Sequence, residues 1–316
     1  MLLPAWHRHS PIKNMKYIIT GGAGFIGSNL AECLCREGNE VIVIGVTPKE
    51  FVFGEKIKFY EMEIKDSAVA GIFEKEKPEI IYHLAGPINL RRSVDDPLFG
   101  LSANFFDDAK KILDLGRNLG AKKIIFTSSG GALYSTNLPI PTPESARVCP
   151  VTLYGKANLM IEDLIENYYG KFAFPFTILR LSNVYGPRQW KQGIVPSIID
   201  SIIKGKQIII NGNGEQTRDF VYVDDVARAL KCVAQTKASG TFNVGSGKEV
   251  AINFLCERIS MILKKRINII YQKDSFSGPQ RSAVEISKIK NEFGWKPKIL
   301  LDDGLRRTIE FYLLEK

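Results

Sequence analysis

Short apolar runs alternate with amphipathic segments through the first half of the chain. The runs are rich in β-branched residues, and they are KYIIT (16–20), VIVI (41–44), IKFYEMEI (57–64), IIYHLAG (80–86) and KKIIFTSS (122–129). Short continuous apolar strands separated by helices are typical of a parallel sheet whose two faces are both buried. The pattern therefore predicts an α/β fold with a Rossmann-type, doubly wound parallel sheet.

The segments between the runs predict helices, and the loss of alternation predicts the domain organisation. We expect one helix to end at about Glu37 and others to cover about 66–75, 95–118 and 152–169. After about residue 180, glycine and proline interrupt the pattern. This organisation predicts an N-terminal extension over 1–14, a Rossmann-type domain over 15–180 and a smaller mixed α/β lobe over 181–316, with the chain crossing between the lobes. Met15 directly precedes the first strand, so translation could start there or at Met1.

Composition and charge narrow the classes of partner. The chain has 316 residues, 45% of them hydrophobic and 24% charged, which is ordinary for a globular protein. Its net charge of +9 is scattered along the sequence, which favours small anionic ligands over nucleic acid. No apolar run approaches the ~18 residues of a membrane helix, so no membrane partner is expected.

The cysteines and histidines argue against metal and thiol chemistry. Five cysteines without a C-x-x-C pair indicate a reducing, cytoplasmic compartment. His83 is the only histidine in the body of the chain. We expect it to pack at a strand end rather than act as a catalyst, and we expect no metal site.

A glycine-rich turn follows the first predicted strand. Gly21, Gly24 and Gly27 recur at a spacing of three and lead into a helix. Such glycines let the backbone approach a pyrophosphate, which the N-terminus of the helix then binds. The turn therefore predicts a dinucleotide cofactor, against the alternative of a purely structural glycine turn.

The second strand lacks the acidic residue that usually holds the adenosine ribose. That position, about 20 residues after the turn, is Gly45. A carboxylate there would repel the 2′-phosphate of NADP, so its loss leaves NADP possible beside NAD. Thr47 or Lys49 could meet such a phosphate, although a solvated loop residue is the leading interpretation of Lys49.

Eight motifs in order along the chain resemble the extended short-chain dehydrogenase/reductase family. They are TGGAGFIG, HLAG, FTSSGGALY, LYGKANLMIE, RLSNVYGPRQ, NGNGEQTRDFVYVDDVARAL, FNVGSG and FGWKP. The nearest branch is the nucleotide-sugar epimerases and dehydratases, above all the UDP-glucose 4-epimerases. The resemblance implies NAD and transient oxidation of a nucleotide sugar at C4 to a 4-keto intermediate.

The same resemblance assigns roles to individual residues. Tyr154 matches the catalytic tyrosine, and Ser129 best matches the hydroxyl that contacts substrate, with Ser128 left open because the following glycine pair makes the register uncertain. The positions implied for the cofactor are Gly21, Gly24, Phe25, Ile26, Gly27, Glu63, Ile64, Leu84, Ala85, Gly86, Asn104, Tyr154 and Asn158. Those implied for the substrate diphosphate are Asn183, Arg218 and Arg281, although Arg218 could instead be structural and Arg281 a solvated loop residue.

One departure from the family concerns the base. The family places a lysine four residues after the tyrosine, where this chain has Asn158, and Lys156 stands at the second position. At 100° per helical residue, the fourth position lies ~40° from the tyrosine and the second ~200° away. We expect Lys156 to face away, so the ammonium that would lower the tyrosine pKa is absent.

The sequence leaves four functions to be weighed. Elimination of water would need an acid and a base after the catalytic hydroxyl, where the chain has Gly130-Gly131-Ala132, so a dehydratase is disfavoured. A 4-epimerase needs neither group and is the leading hypothesis. A non-catalytic protein that binds a dinucleotide or nucleotide sugar is the main alternative, and a reductase is a further one.

The resemblance also implies a homodimer through the helices at about 95–118 and 152–169.

Overall fold

A central parallel sheet organises the part of the chain that the structure describes. This computed structural model describes residues 15–46, 53–86, 104–135, 138–189, 193–272 and 278–314. The predicted extension over 1–14 lies outside these residues, as do Thr47 and Lys49.

The sheet has seven strands in the order β3-β2-β1-β4-β5-β6-β11, and every neighbouring pair is parallel. The prediction of a doubly wound parallel sheet is confirmed. The order reverses between β1 and β4, and ligands of such sheets bind in the crevice at that reversal. The strands are β1 Lys16–Thr20, β2 Glu40–Gly45, β3 Ile57–Glu61, β4 Ile80–His83, β5 Lys123–Ser129, β6 Phe176–Leu181 and β11 Gly240–Val244.

Helices cover both faces of the sheet. On one face α1 (Phe25–Arg36) and α7 (Val223–Ala234) pack over alternate strand residues such as Tyr17 and Tyr82. On the other face lie α2 (Ala68–Glu76), α3 (Asn104–Asn118) and α5 (Leu153–Phe172), over Ile18 and its neighbours. The short helix α4 (Gly130–Leu133) directly follows β5.

The helices predicted to end near Glu37 and to cover about 66–75 and 152–169 are confirmed within a few residues. The helix predicted for 95–118 is seen from Asn104 onward, and its first part lies outside the described residues.

A second core lies in the C-terminal lobe. Three two-stranded pairings, β7 with β10, β9 with β12 and β8 with β13, join short helices around residues such as Phe220 and Leu255. The strands are β7 Asn183–Tyr185, β8 Ile208–Asn211, β9 Thr217–Arg218, β10 Phe220–Tyr222, β12 Val250–Ala251 and β13 Ile269–Gln272. The helices are α6 Ile194–Ile203, α8 Ile252–Leu263, α9 Ser287–Phe293 and α10 Leu301–Leu314.

The chain returns from this lobe to the first domain. Strand β11 completes the central sheet beside β6, and α7 packs against α1. Residues from 181–316 therefore contribute both to the central sheet and to a helix layer that covers it. Among the helices that the structure describes, none has both the length and the apolar composition needed to cross a bilayer.

Candidate active site

A cleft of about 1130 Å³ opens at the carboxyl ends of the central strands. The first domain supplies its floor, and the C-terminal lobe supplies an opposite wall that includes Ile198, Ile210 and Phe220. Most of the positions suggested by the sequence line it: Gly21, Gly24, Phe25, Ile26, Gly27, Gly45, Glu63, Ile64, Leu84, Ala85, Gly86, Ser128, Ser129, Tyr154, Asn158, Asn183 and Arg218. The fold therefore gathers these separate segments at one ligand-sized crevice.

The glycine turn forms a backbone cradle at one end of the cleft. Gly21 has φ +71°, and a Cβ there would lie 2.5 Å from the Ala85 nitrogen. A Cβ on Gly27 would lie 2.6 Å from the Gly21 carbonyl oxygen. Gly24 precedes the first residue of α1 and has no side chain to cap the helix. The first N–H groups of α1 are thus open to an anion, as a dinucleotide diphosphate requires.

The end of the cleft beside β2 carries one ion pair. Gly45 accepts from the Met62 N–H at 3.2 Å, so the segment after β3 lies next to the end of β2. Glu63 and Lys65 line the cleft there and pair with each other at 2.6 Å. Lys111 donates to the Ile64 carbonyl at 2.9 Å and holds this segment in place.

The end of β4 contributes backbone and one buried imidazole. Leu84, Ala85 and Gly86 line the cleft directly after the strand. His83 is 1% exposed, and its Nδ1 lies 2.8 Å from Thr20 Oγ1. Burial lowers the pKa of His83 to about 4, so the ring is neutral at physiological pH. Asn104 begins α3, and its side chain lies outside the described part of the structure.

Tyr154 and Ser129 meet in the middle of the cleft. Tyr154 is half-buried as a residue, and side-chain hydrogen bonding with Asn158 and Ser129 acts on its phenol. Burial raises the pKa of the phenol above its usual value, and these two hydrogen bonds oppose that rise. Of the two serines that the sequence left open, Ser129 is the one whose side chain acts on the Tyr154 phenol.

Gly155 explains how the tyrosine comes so close to the strand end. A Cβ at this position would lie 2.4 Å from the Ala132 carbonyl oxygen and 2.8 Å from Pro150. Thr152 caps α5 by accepting from the Gly155 N–H at 3.1 Å. The first turn of α5 can therefore pack directly on α4, which follows Ser129. Sequence reasoning missed this residue, although its place directly after the tyrosine was a signal.

The residue in place of the family lysine faces inward, as predicted. Asn158 is 6% exposed, and its Nδ2 donates to the Tyr154 carbonyl oxygen at 2.8 Å. Lys156 is exposed. The amide can hydrogen-bond within the cleft but brings no positive charge to the phenol.

Several polar atoms in the cleft are buried without a partner among the described residues. They include Ser128 Oγ, His83 Nε2 and Ser182 Oγ. Ser128 is 3% exposed. A buried polar atom without a hydrogen bond is costly, so such atoms mark positions where a ligand or water completes the structure.

The lobe's polar wall is built around Arg218. Its Nη1 donates to the Thr217 and Pro279 carbonyls at 2.7 and 2.9 Å, and burial lowers its pKa. Asn183 lines the same region, and its N–H donates to the Asp219 carbonyl at 2.9 Å. The Asp219 carboxylate accepts from the N–H of Ser246 at 2.7 Å. The Asp219 side chain therefore fixes a turn of the lobe beside Arg218.

Arg281 is placed differently from the other predicted diphosphate residues. It is exposed and does not line the cleft, and its Nε donates to Glu249 Oε1 at 2.9 Å. Thr217, next to Arg218, also donates to Glu249. The structure thus brings Arg218 to the cleft and leaves Arg281 beside it, in an ion pair at the surface.

Comparison with known proteins links this site to a defined family. Residues 17–245 match the model of the NAD dependent epimerase/dehydratase family. The chain is 30% identical over 309 residues to the UDP-glucose 4-epimerase of Mycolicibacterium smegmatis, covering 94% of this chain and 98% of that protein. It is 29% identical over 337 residues to the dTDP-glucose 4,6-dehydratase of Salmonella typhimurium, covering 95% and 93%.

Solved structures share the whole fold. A UDP-glucose 4-epimerase of Thermotoga maritima with UDP-glucose superposes with a TM-score of 0.90 at 32% identity, covering 95% of this chain and 99% of that one. The UDP-glucose 4-epimerase of Thermus thermophilus in complex with NAD gives 0.85 at 26% identity, with the same coverage.

Proposed function

The chain belongs to the NAD dependent epimerase/dehydratase family, and we propose that it is a nucleotide-sugar 4-epimerase of the UDP-glucose/galactose type that uses NAD. The main support is the pair formed by Tyr154 and Ser129 in the cleft. A phenol hydrogen-bonded to a hydroxyl suits proton removal from a sugar alcohol and its later return. The relatives named as 4-epimerases support the same assignment.

The cleft fits NAD by its own geometry. The Gly21–Gly27 cradle and the open N-terminus of α1 would hold the diphosphate, and the segment of Glu63 and Ile64 would lie along the adenosine. The unpartnered Ser128 Oγ, in the floor nearer Tyr154, is available to a bound ligand. NAD supplies a reversible hydride acceptor when bound.

The side chains move the proton and hold the sugar nucleotide. Tyr154 would take the proton of the C4 hydroxyl, and Ser129 would hydrogen-bond that hydroxyl and relay the proton. Because C4 returns to the alcohol at the end, Tyr154 regains its original state without a net proton transfer to solvent. Arg218 and Asn183 would bind the diphosphate, whose paired oxygens suit a guanidinium fork.

Dehydration is a weaker candidate, even though one relative is named as a dehydratase. Loss of water from a sugar needs a proton donor and a base next to the reacting carbons. The residues after Ser129 are Gly130-Gly131-Ala132, which carry nothing to titrate. The neighbourhood of the catalytic hydroxyl thus supports proton exchange at C4 alone.

A non-catalytic binding role is favoured by one observation. Asn158 brings no charge to Tyr154, and burial raises the phenol pKa. A protein that keeps the cleft but has lost the base would still bind NAD and a nucleotide sugar.

One experiment separates these candidates. The NAD-loaded protein is mixed with UDP-glucose, UDP-galactose, UDP-N-acetylglucosamine or dTDP-glucose, and the products are followed by proton NMR. Epimers at C4 support the proposal, a 4-keto-6-deoxy sugar supports a dehydratase, and calorimetric binding without product supports the non-catalytic role. Binding of none of these sugar nucleotides would contradict all three candidates.

The cofactor preference follows from Gly45. Without a carboxylate at this position, we propose that NAD and NADP are poorly discriminated. A Cβ at Gly45 would meet Ala23 at 3.4 Å, an ordinary contact, so Gly45→Asp is accommodated. Calorimetry should show this variant shifting toward NAD, and a parent that already binds NAD a hundredfold tighter would disprove the interpretation.

We further propose a homodimer through α3 and α5. Tyr168 of α5 donates to Asp114 of α3 at 2.8 Å, so the two helices form one surface. That surface leaves Phe106, Met160, Tyr169 and Phe172 exposed. Sedimentation that shows only monomer at micromolar concentration would rule this interface out.

A further inference from the structure

A buried ion pair ties the tyrosine's helix to the central sheet. Arg180 in β6 is 8% exposed and Glu162 in α5 is 2% exposed. Arg180 Nη2 lies 2.7 Å from Glu162 Oε2, and Nε lies 3.1 and 3.2 Å from the two carboxylate oxygens. A guanidinium fork on a carboxylate restrains orientation as well as distance.

The same guanidinium also contacts the segment that carries Ser129. Arg180 Nη1 donates to the Tyr134 hydroxyl at 3.3 Å, and this hydroxyl donates to Asn243 Oδ1 at 2.6 Å. Tyr134 caps α4, the short helix that begins directly after Ser129. In the sheet register, Arg180 is the partner of Ser128, the preceding residue.

We propose that Arg180 is a positioning residue for Tyr154 and Ser129, an inference that rests on the proposed function. Its fork holds α5 through Glu162, and its third nitrogen holds the residue that ends α4. Tyr154 lies on α5, and Ser129 is the residue directly before α4. Because Arg180 contacts both elements, it sets the distance between the two hydroxyls.

The Arg180–Glu162 ion pair acts as a brace between α5 and β6, and the packing near it explains why one is needed. At Gly155 the first turn of α5 lies directly against the Ala132 carbonyl, without any side chain in between. Glycine gives a close approach but no directional hold. The ion pair lies two turns further along α5 and supplies that hold.

The brace acts through geometry and not through charge. The guanidinium and the carboxylate neutralise each other, so the pair does not replace the missing lysine. Burial alone would lower the pKa of Arg180, but the hydrogen bonds that it donates to Glu162 raise the pKa above its usual value, so the fork stays charged at every working pH. Its effect on Tyr154 therefore passes through the hydrogen bond from Ser129.

The test uses the double variant R180M/E162L. Replacing a buried ion pair with packed apolar residues often preserves stability, so the fold is kept while the brace is removed. The phenol of residue 154 is observed by fluorine NMR in protein labelled with 3-fluorotyrosine, its signal assigned with Tyr154→Phe. R180K, which keeps the charge but not the fork, is the second variant in case the first does not fold.

We expect the titration of the fluorinated phenol to move to higher pH in both variants, because the hydrogen bond from Ser129 that lowers the pKa is weakened. We expect kcat to fall roughly 10- to 100-fold, the size of a small misplacement of reacting groups, with KM for the sugar nucleotide nearly unchanged. Lys123→Met is the matched control, since Lys123 is a buried basic residue at the other end of β5, the strand that carries Ser129. It should lower stability without moving the titration.

Folded variants with the parent's titration and kcat would show that the ion pair is only structural. A shift of the same size in Lys123→Met would also overturn the proposal. Because the titration needs no turnover, it tests the brace even if the parent proves inactive, in which case the proposed function fails by itself.

Discussion

Strand β5 has a buried polar side chain near each of its ends. One of them is hydrogen-bonded within the protein, and the other is not. At its start, Lys123 is 1% exposed, and its Nζ donates to the carbonyls of Val233, Thr236 and Ala238 at 2.8, 3.1 and 2.7 Å. At its other end, Ser128 is also buried, but its hydroxyl has no partner among the described residues.

We therefore expect the start of β5 to contribute mainly to stability and its end mainly to ligand binding. At the amino edge of the sheet, Lys123 finds its partners within the protein and fastens α7 and the segment after it. The carboxyl edge leaves Ser128, Ser182 and His83 with an unpartnered atom each. Unsatisfied groups cost stability and are retained where a ligand uses them. Variants at the first edge should therefore change folding, and variants at the second should change binding and turnover.

The sharpest contrast is between two tyrosines. Tyr154→Phe removes the proposed base and should lower turnover about 10²–10⁴-fold, with little change in thermal stability. Tyr82→Phe, which removes the buried hydroxyl that donates to the Leu230 carbonyl at 3.3 Å, should do the reverse. Initial rates and melting curves of both proteins test this, and equal losses of turnover in the two variants would contradict it.

Lys123→Met should be the largest change in stability. The buried Val233 carbonyl would lose its partner, which costs roughly 1–3 kcal/mol, and the Thr236 and Ala238 carbonyls would each lose a donor. We therefore expect the free energy of unfolding, measured in urea, to fall by roughly that amount or more. The kcat of the folded protein should stay at the parent's value.

Lys123 also predicts a pH dependence of stability. Burial lowers its pKa to about 7, while the three carbonyls favour the charged form. In the unfolded chain a lysine has a pKa of about 10.4. Between these values the unfolded chain binds the extra proton, so stability gains from this residue as pH rises from 7 to about 10 and gains nothing below 7. Lys123→Met should remove that slope.

At the ligand edge, Arg218→Ala should weaken UDP-sugar binding. A hydrogen bond to a charged group is worth roughly 1.5–3 kcal/mol, so the Kd should rise at least tenfold while NAD binding changes less. Arg281→Ala, which breaks only an exposed pair with Glu249, should have the smaller effect. Calorimetry that ranks the two arginines in reverse would show that Arg281 moves to the substrate.

Asn158→Lys tests whether a missing positive charge limits the proposed base, Tyr154. Burial raises the pKa of Tyr154, so activity should rise with pH through neutrality and beyond. A cation within reach favours the phenolate and lowers its pKa by about one unit or more. The variant should therefore be about tenfold faster at pH 7, and its pH profile should rise earlier. A parent whose profile is flat from pH 6 upward would show that another cation serves the phenol.

The smallest effect is expected for Ser128→Ala. Because the hydroxyl is buried without a partner, its removal should leave the melting temperature unchanged or slightly raised. The hydrogen bond that it offers to a ligand is worth about 0.5–1.5 kcal/mol. Binding of NAD or of the UDP-sugar should weaken several-fold, and a loss of stability with intact binding would mean that this edge resembles the other.

The sequence by itself was enough for the features that depend on local pattern. Continuous apolar runs specify buried parallel strands, and glycines at a spacing of three specify the turn, because each acts through its immediate neighbours. The helical spacing from Tyr154 was enough to place Asn158 inward and Lys156 outward. These expectations needed no knowledge of distant contacts.

Only the tertiary structure decided which distant groups meet. The sequence favoured Ser129 over Ser128 but left the register open, and in the folded protein it is Ser129 that acts on the Tyr154 phenol, where α5 approaches over Gly155. Arg218 and Arg281 both looked like anion-binding residues, but Glu249 holds one of them at the surface. Arg180 and Glu162 lie 18 residues apart and form their fork only after β6 and α5 have packed. Such pairings depend on competition among side chains from separate segments, which a linear pattern does not record.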